Sequence, residues 1–310
     1  MRSRMIVLVV LGLLFIGIPY LIHRDTIHTT LYIYTAVVFY FVAVIGITIW
    51  VGKVFRKIFL LPPYSFLEIV LSVIIYSIAI PVIGILGILS ILIIILYPNS
   101  KYFVIYVLAN VSVFVLGVIV IFSGSLPKEE TGPFIVIPNH VSFIDYLLIL
   151  ITMGLKPYNV VAGSNLCYIP LLGYFLKKYT ISVDRKNKQS LGKTYSEIIR
   201  ELKSGKNIGI FAEGGRITEQ QIFSGLILKN FKDGPFRASK FLNVKIVPVI
   251  FHGTKKYAPK EKRGWWYVSP TRIKIIFLES ISPKGKTVEE LKEKTYKVMF
   301  SFLTTKEPAI

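Results

Sequence analysis

The first third of the chain is built from long unbroken apolar runs, the remainder from short ones that alternate with polar positions. Residues 5–22 form an 18-residue apolar run behind Arg2 and Arg4. Its end, Pro19-Tyr20-Leu21-Ile22-His23, lacks the small residues of a signal-peptide cleavage site, so the run predicts a retained membrane span. Residues 31–51 and 102–122 are each long enough to cross a hydrocarbon core of about 30 Å. The run 69–97 would make a helix of roughly 43 Å at about 1.5 Å per residue, more than one upright crossing and short for two. Pro81, Gly84 and Gly87 inside it predict one tilted, kinked span or a partly re-entrant pair.

Beyond residue 124 the pattern changes. Runs rich in β-branched and aromatic residues at 134–138, 159–162, 180–183, 207–211, 245–251 and 272–278 predict strands. Amphipathic stretches at 143–153, 166–178, 189–204, 235–242 and 287–303 predict helices. Strands alternating with helices argue for an α/β layered domain with a mostly parallel central sheet. Ligands of such sheets gather at the strand ends and the loops that follow. The expected division is therefore an all-α transmembrane region of about four spans over 1–123 and a globular domain over 124–310. The Gly-, Ser-, Pro- and Glu-containing segment 123–133 is the link between them.

Charge refines this division. The 310 residues carry 37 Lys and Arg against 17 Asp and Glu, a net +20. Only seven of the basic residues and two of the acids (Asp25, Glu68) fall in 1–123, which leaves +15 on 124–310. With 53% hydrophobic residues and a single cysteine, Cys167, the composition excludes a secreted, disulfide-stapled or disordered chain and any thiolate metal cluster. Arg2 and Arg4, then Lys53, Arg56 and Lys57 after the second run, place both positions on the cytosolic side. Four crossings then return the chain to that side at residue 124. Tyr20, Tyr32, Trp50 and Tyr97 near the run ends fit interfacial anchoring. No ionisable residue lies mid-span, so the region reads as an anchor, not as a transporter or channel. A basic domain beside a membrane suits anionic lipid headgroups and phosphate-bearing substrates. Segments 171–178 and 255–267, the latter with Trp265 and Trp266, read as interfacial contacts. Nucleic acid, the usual partner of so basic a chain, is disfavoured by the spans.

Four short motifs carry candidate chemistry. Asn139-His140 is followed by Asp145 where a predicted strand ends and a helix begins. Histidine ionises near neutrality and is the natural general base. A carboxylate on its other ring nitrogen fixes the tautomer and steadies the imidazolium. Five residues along a helix turn about 500°, so His140 and Asp145 meet only if His140 lies in the loop. The capping-box pattern Ser142…Asp145 starts the helix there, and it also offers Asp145 a purely structural role. Phe211-Ala212-Glu213-Gly214-Gly215-Arg216 ends another strand. Its glycines let a ligand approach the backbone, and Arg216 supplies a guanidinium suited to phosphate. Val183-Asp184-Arg185 ends the strand that begins at Thr180, and Val247-Pro248-Val249 reads as a buried strand interrupted by proline, with a surface ion pair and an edge strand as their plain structural readings. His252 reads as a strand-end histidine more than as a catalyst.

In this order the motifs resemble those of the glycerolipid acyltransferases, which acylate glycerol-3-phosphate and lysophospholipids. That family carries Asn-His-x4-Asp, a hydrophobic-Asp-Arg, Phe-Pro-Glu-Gly-Thr-Arg and a Val-Pro-Val strand, and its Leu-x-x-Ile-Pro-x-x-Gly stretch looks like Leu166…Gly173 here. The resemblance covers roughly residues 134–251 and not the apolar third.

The resemblance implies a membrane-bound O-acyl transfer from a fatty-acyl thioester to a lysophospholipid hydroxyl, most simply 1-acylglycerol-3-phosphate giving phosphatidic acid. It implies His140 as base, Asp145 as its partner, and Glu213, Gly214, Gly215 and Arg216 at the acceptor's phosphate, with Arg185 a second contact. Acyl-coenzyme A or an acyl carrier protein serves as co-substrate, with no cofactor, metal or covalent enzyme intermediate. The setting it implies is a bacterial inner membrane or the endoplasmic reticulum, with the active domain on the cytosolic side. Two departures bear on the acceptor. Gly163 stands where many lysophosphatidate-specific members have a phosphate-binding lysine. Ala212 and Gly215 replace the family's Pro and Thr. Other lysophospholipids, a lyso-aminolipid, a transacylation, or lipid binding without turnover are the alternative readings.

Overall fold

The computed structural model describes residues 66–127, 132–164, 179–185, 187–218, 220–221, 224–254 and 270–306. The apolar runs 5–22 and 31–51, Cys167, the Leu166…Gly173 stretch and the interfacial segments 171–178 and 255–267 lie outside them. The chain divides into two compact units, Met1–Ser77 and Ile78–Ile310.

Helix α1, Phe66–Leu96, is one continuous helix with Pro81 inside it. The run 69–97 is thus a single rod, and Ile74–Leu96 is long and apolar enough to cross a membrane. From Ile78 onward its exposed side chains are large and apolar, among them Ile80, Ile85, Ile88, Leu92 and Leu96.

The predicted span 102–122 is corrected by the structure. It is a helix, α2 (Lys101–Val115), followed by a strand, β1 (Val118–Ser123). An apolar run of this length satisfies a span and a helix-plus-strand pair equally well, because hydropathy does not report backbone geometry. The β-branched sequence Val118-Ile119-Val120-Ile121 decides for strand. The sheet therefore begins upstream of the expected boundary at residue 124, and a count of four spans loses its fourth member.

Six more strands follow: β2 (Phe134–Pro138), β3 (Tyr158–Gly163), β4 (Thr180–Val183), β5 (Asn207–Gly209), β6 (Lys245–His252) and β7 (Thr271–Phe277). Between and after them come α3 (Asp145–Met153), α4 (Lys188–Lys203), α5 (Gly234–Leu242) and α6 (Val288–Lys306). The seven strands are ordered β1-β7-β6-β2-β5-β3-β4. All neighbours are parallel except β6 and β7, so the expected mostly parallel α/β sheet is what forms.

Successive strand residues point to opposite faces, and the core follows. Ile135, Ile137, Ile208 and Ile246 pack with Ile198 and Leu202 of α4, Phe236 of α5 and Leu291, Met299 and Leu303 of α6. Gly209 faces the other layer, where an added Cβ would lie 2.8 Å from Ile149 Cδ1 of α3. Glycine is what lets α3 approach β5 this closely. Asn207 pins three strand starts together: its Oδ1 accepts from Phe134 N at 3.1 Å and its Nδ2 donates to Pro157 O at 3.1 Å. The C-terminal ends of β2, β3 and β5 thereby share one edge, which β4 and β6 join by parallel pairing with β3 and β2, and the His140, Arg185 and Glu213 motifs sit in the loops beyond it.

Candidate active site

His140 lies in the loop between β2 and α3, and α3 begins at Asp145. The loop returns the ring to the helix start, and His140 Nδ1 stands 3.0 Å from Asp145 Oδ2. The same oxygen accepts from Val141 N at 2.6 Å and Ser142 N at 2.7 Å. Asp145 therefore both ties the loop and holds the imidazole, while the N-cap position of α3 falls on Ile144 and not on the expected Ser142. A carboxylate only accepts, so Nδ1 carries the hydrogen and Nε2 is left as the acceptor. Asp145 is fully buried, whereas the His140 side chain is 15% exposed. The pair is sealed on the carboxylate side and open on the imidazole side.

Two neighbours fix the ring. Phe211 stacks on it, centroids 4.0 Å apart and planes 21° from parallel. The predicted strand 207–211 in fact ends at Gly209, which frees Phe211 for this contact. Asn139, buried, accepts from Phe251 N at 2.8 Å through Oδ1 and so bolts the loop to β6. Proline in Val247-Pro248-Val249 is accommodated within β6 opposite Ile137.

The glycine turn is bonded directly to this loop. Glu213 Oε1 accepts from His140 N at 2.6 Å, and His140 O accepts from Ile217 N at 3.1 Å. Glu213 Oε2 accepts from Lys229 N at 3.0 Å. Burial pushes the Glu213 carboxyl up to about 7, a rise that the two backbone N–H groups oppose and the Asp145 charge reinforces. Gly214 takes φ +72°, a left-handed conformation natural to glycine, and its N–H closes the turn on Phe211 O at 3.1 Å. Arg216 is exposed, and Lys229 Nζ donates to its carbonyl at 2.7 Å. Arg185 follows β4 in a loop closed by Ser190 Oγ, which accepts from Asp184 N at 2.9 Å. Its Nη1 lies 3.4 Å from where a Cβ on Gly215 would sit. Burial lowers the Arg185 guanidinium from its usual range. All seven predicted site residues, His140, Asp145, Arg185, Glu213, Gly214, Gly215 and Arg216, thus fall on one edge of the sheet. Sequence reasoning missed Phe211 as a ring partner, and it missed Lys229 and Lys232, which reach the turn from the segment before α5. Among the described residues no group of His, Cys, Asp and Glu could hold a metal ion.

Residues 119–252 match the family model described as Acyltransferase. That segment is similar to an acyltransferase domain. This match begins in β1, in agreement with the sheet's starting upstream of residue 124. The domain is similar to a 1-acyl-sn-glycerol-3-phosphate acyltransferase of Borreliella burgdorferi, 27% identical over 149 residues that make up 48% of this chain and 57% of that one. It is also similar to an uncharacterized acyltransferase of Schizosaccharomyces pombe, 27% identical over 54% of this chain and 57% of that one. A probable 1-acyl-sn-glycerol-3-phosphate acyltransferase of Mycoplasma genitalium is 26% identical over 60% of this chain and 70% of that one. The chain thus spans little more than half the length of the first two of these curated relatives. The crystal structure of the 1-acyl-sn-glycerophosphate (LPA) acyltransferase PlsC from Thermotoga maritima shares the fold, with a TM-score of 0.62 and 24% identity over 78% of this chain and 96% of that one.

Proposed function

We propose that this protein transfers a fatty-acyl group from a thioester to the free hydroxyl of a lysophospholipid, with 1-acylglycerol-3-phosphate as acceptor and phosphatidic acid as product. The observation that carries the reading is the double hydrogen bond joining the His140–Asp145 loop to the glycine turn that presents Arg216. His140 Nε2 takes the acceptor hydroxyl proton as the oxygen attacks the thioester carbonyl carbon. The tetrahedral intermediate collapses, the C–S bond breaks, and the imidazolium returns its proton to the leaving thiolate. Asp145 steadies the imidazolium through this cycle. Arg216, with Arg185 beside Gly215, holds the acceptor's phosphate by charge-assisted bonds. Acyl-coenzyme A or an acyl carrier protein supplies the acyl group.

Outward-facing α1 and the apolar stripe Phe103, Val107 and Phe114 on α2 support a membrane-embedded setting for this chemistry. We place the active domain on the cytosolic side, at a bilayer of anionic lipid, because thioester donors are made there; with 102–122 no longer a span, this placement requires an even number of crossings before α2. Gly163, at the end of β3, brings no cation to the site, and this favours a second reading in which another lysophospholipid is the acceptor. The deciding experiment incubates membranes containing the protein with labelled acyl-coenzyme A and a panel of lysophospholipids. Labelling of lysophosphatidate ahead of the others is expected. Labelling of a different lysophospholipid selects the second reading, and no labelled lipid at all sinks both.

A further inference from the structure

Lys232 is positioned as a third cation of the glycine turn. Its main-chain N–H donates to Ala212 O at 2.8 Å, which fixes the residue beside the turn. Its side chain then runs across Gly214: an added Cβ there would lie 3.3 Å from both Cγ and Cε of Lys232. The ammonium is one bond, about 1.5 Å, beyond Cε, which keeps it within about 5 Å of that Cβ position and in reach of an anion bound at the turn. Gly214 is favoured as glycine by its φ of +72°, and the lysine stem passes beside it.

Among the described residues no salt bridge takes up this charge, although Asp233 beside it feels it. Lys232 is exposed, and among the described residues it has no ion-pair partner. The nearest acids are engaged elsewhere. Asp233 pairs with Lys292 at 2.8 Å and with Arg237 at 3.7 Å, and both oxygens of Glu213 receive backbone N–H groups. Arg185 Nη1 flanks the next residue, Gly215, and Arg216 follows it. Three cations without a salt bridge among the described residues, around two residues that lack side chains, form a cradle for a compact anion of more than one charge.

We infer that Lys232 binds the acceptor's phosphate and selects a dianionic phosphate monoester over a phosphodiester headgroup. This rests on the proposed acyl transfer and takes the place of the lysine that Gly163 does not provide. The monoester offers a second negative charge and a third free oxygen, which a diester lacks.

The test uses the full-length protein in detergent micelles with acyl-coenzyme A as donor and three variants: Lys232→Met, which keeps the stem over Gly214 and drops the charge, Lys232→Ala and Lys232→Arg. The KM for lysophosphatidate and for the donor are measured, with the inhibition constant of lysophosphatidylglycerol as a competing diester. Lys232→Met and Lys232→Ala are expected to raise the lysophosphatidate KM roughly 10- to 100-fold, the range of a lost charge-assisted hydrogen bond. The donor KM and the diester's constant should stay within threefold, and Lys232→Arg should restore most of the loss. An unchanged lysophosphatidate KM in Lys232→Met, an equal loss against the diester, or a loss confined to the donor overturns the assignment. If the unmodified protein acylates no lysophospholipid, the failure belongs to the proposed activity itself.

Discussion

Asp145→Asn isolates the contribution of one negative charge at the heart of the site. Asp145 Oδ2 receives three donors, His140 Nδ1, Val141 N and Ser142 N, while Oδ1 has no donor among the described residues. The amide therefore places its oxygen where Oδ2 stands and its NH2 where no bond is lost, so the loop and the His140 tautomer persist. What disappears is the charge facing the imidazolium formed during transfer. At 3.0 Å and an effective dielectric constant of about 20, that attraction is about 5 kcal/mol. The amide dipole retains part of it, leaving a loss of about 3–5 kcal/mol, or roughly 10²–10⁴ in kcat. The assay is release of free thiol from acyl-coenzyme A with saturating lysophosphatidate, alongside a thermal unfolding curve. The unfolding midpoint should move by only a few degrees. A kcat within threefold of the unmodified protein would refute the argument that Asp145 acts through the imidazolium.

Arg216→Ala should raise the acceptor KM far more than the donor KM, since its guanidinium is exposed at the turn and engages no carboxylate among the described residues; equal shifts in steady-state kinetics would contradict a phosphate role. Glu213→Gln should flatten the pH dependence of stability. The folded carboxyl holds its proton to about 7 against an ordinary 4.5, so between those values the native state binds more protons. Stability is fully present below pH 4.5 and falls as pH rises through 7, by on the order of 3 kcal/mol. The gap between unfolding midpoints at pH 5 and pH 8 should narrow in the variant, and an unaltered gap would count against a buried, raised carboxyl. Asn139→Ala strips the buried Phe251 N–H of its acceptor and should cost about 1–3 kcal/mol; chemical denaturation that shows no loss would mean the β2–β6 bolt carries no strain-free support for the loop.

Much of this was legible from local pattern, and the misses have physical causes. Strands 134–138 and 180–183 and the strand-loop-helix placement of His140 and Asp145 follow from periodicity and from helix geometry, which are local. The order of motifs along the chain was enough to gather the site at one sheet edge, because consecutive parallel strands send their C-terminal ends the same way. The reading failed where a tertiary contact overrode local preference. Val118–Ser123 is apolar enough for lipid, yet β7 supplies it with a ladder partner. Phe211 has strand propensity, yet the His140 ring draws it out of the strand. Lys229 and Lys232 follow Glu213 by 16 and 19 positions, and no spacing rule links them; only the folded chain brings them onto the glycine turn.

The central claim is that the imidazole of His140 moves the proton in acyl transfer. His140→Ala, purified in detergent and compared with the unmodified protein for lysophosphatidate-dependent thiol release, tests it most directly. The account predicts loss of at least 10³-fold in kcat, within the range expected of a removed general base and its positioned pair, at an unfolding midpoint close to that of the unmodified protein. Thiol release within tenfold of the unmodified rate, from a folded variant, would contradict it.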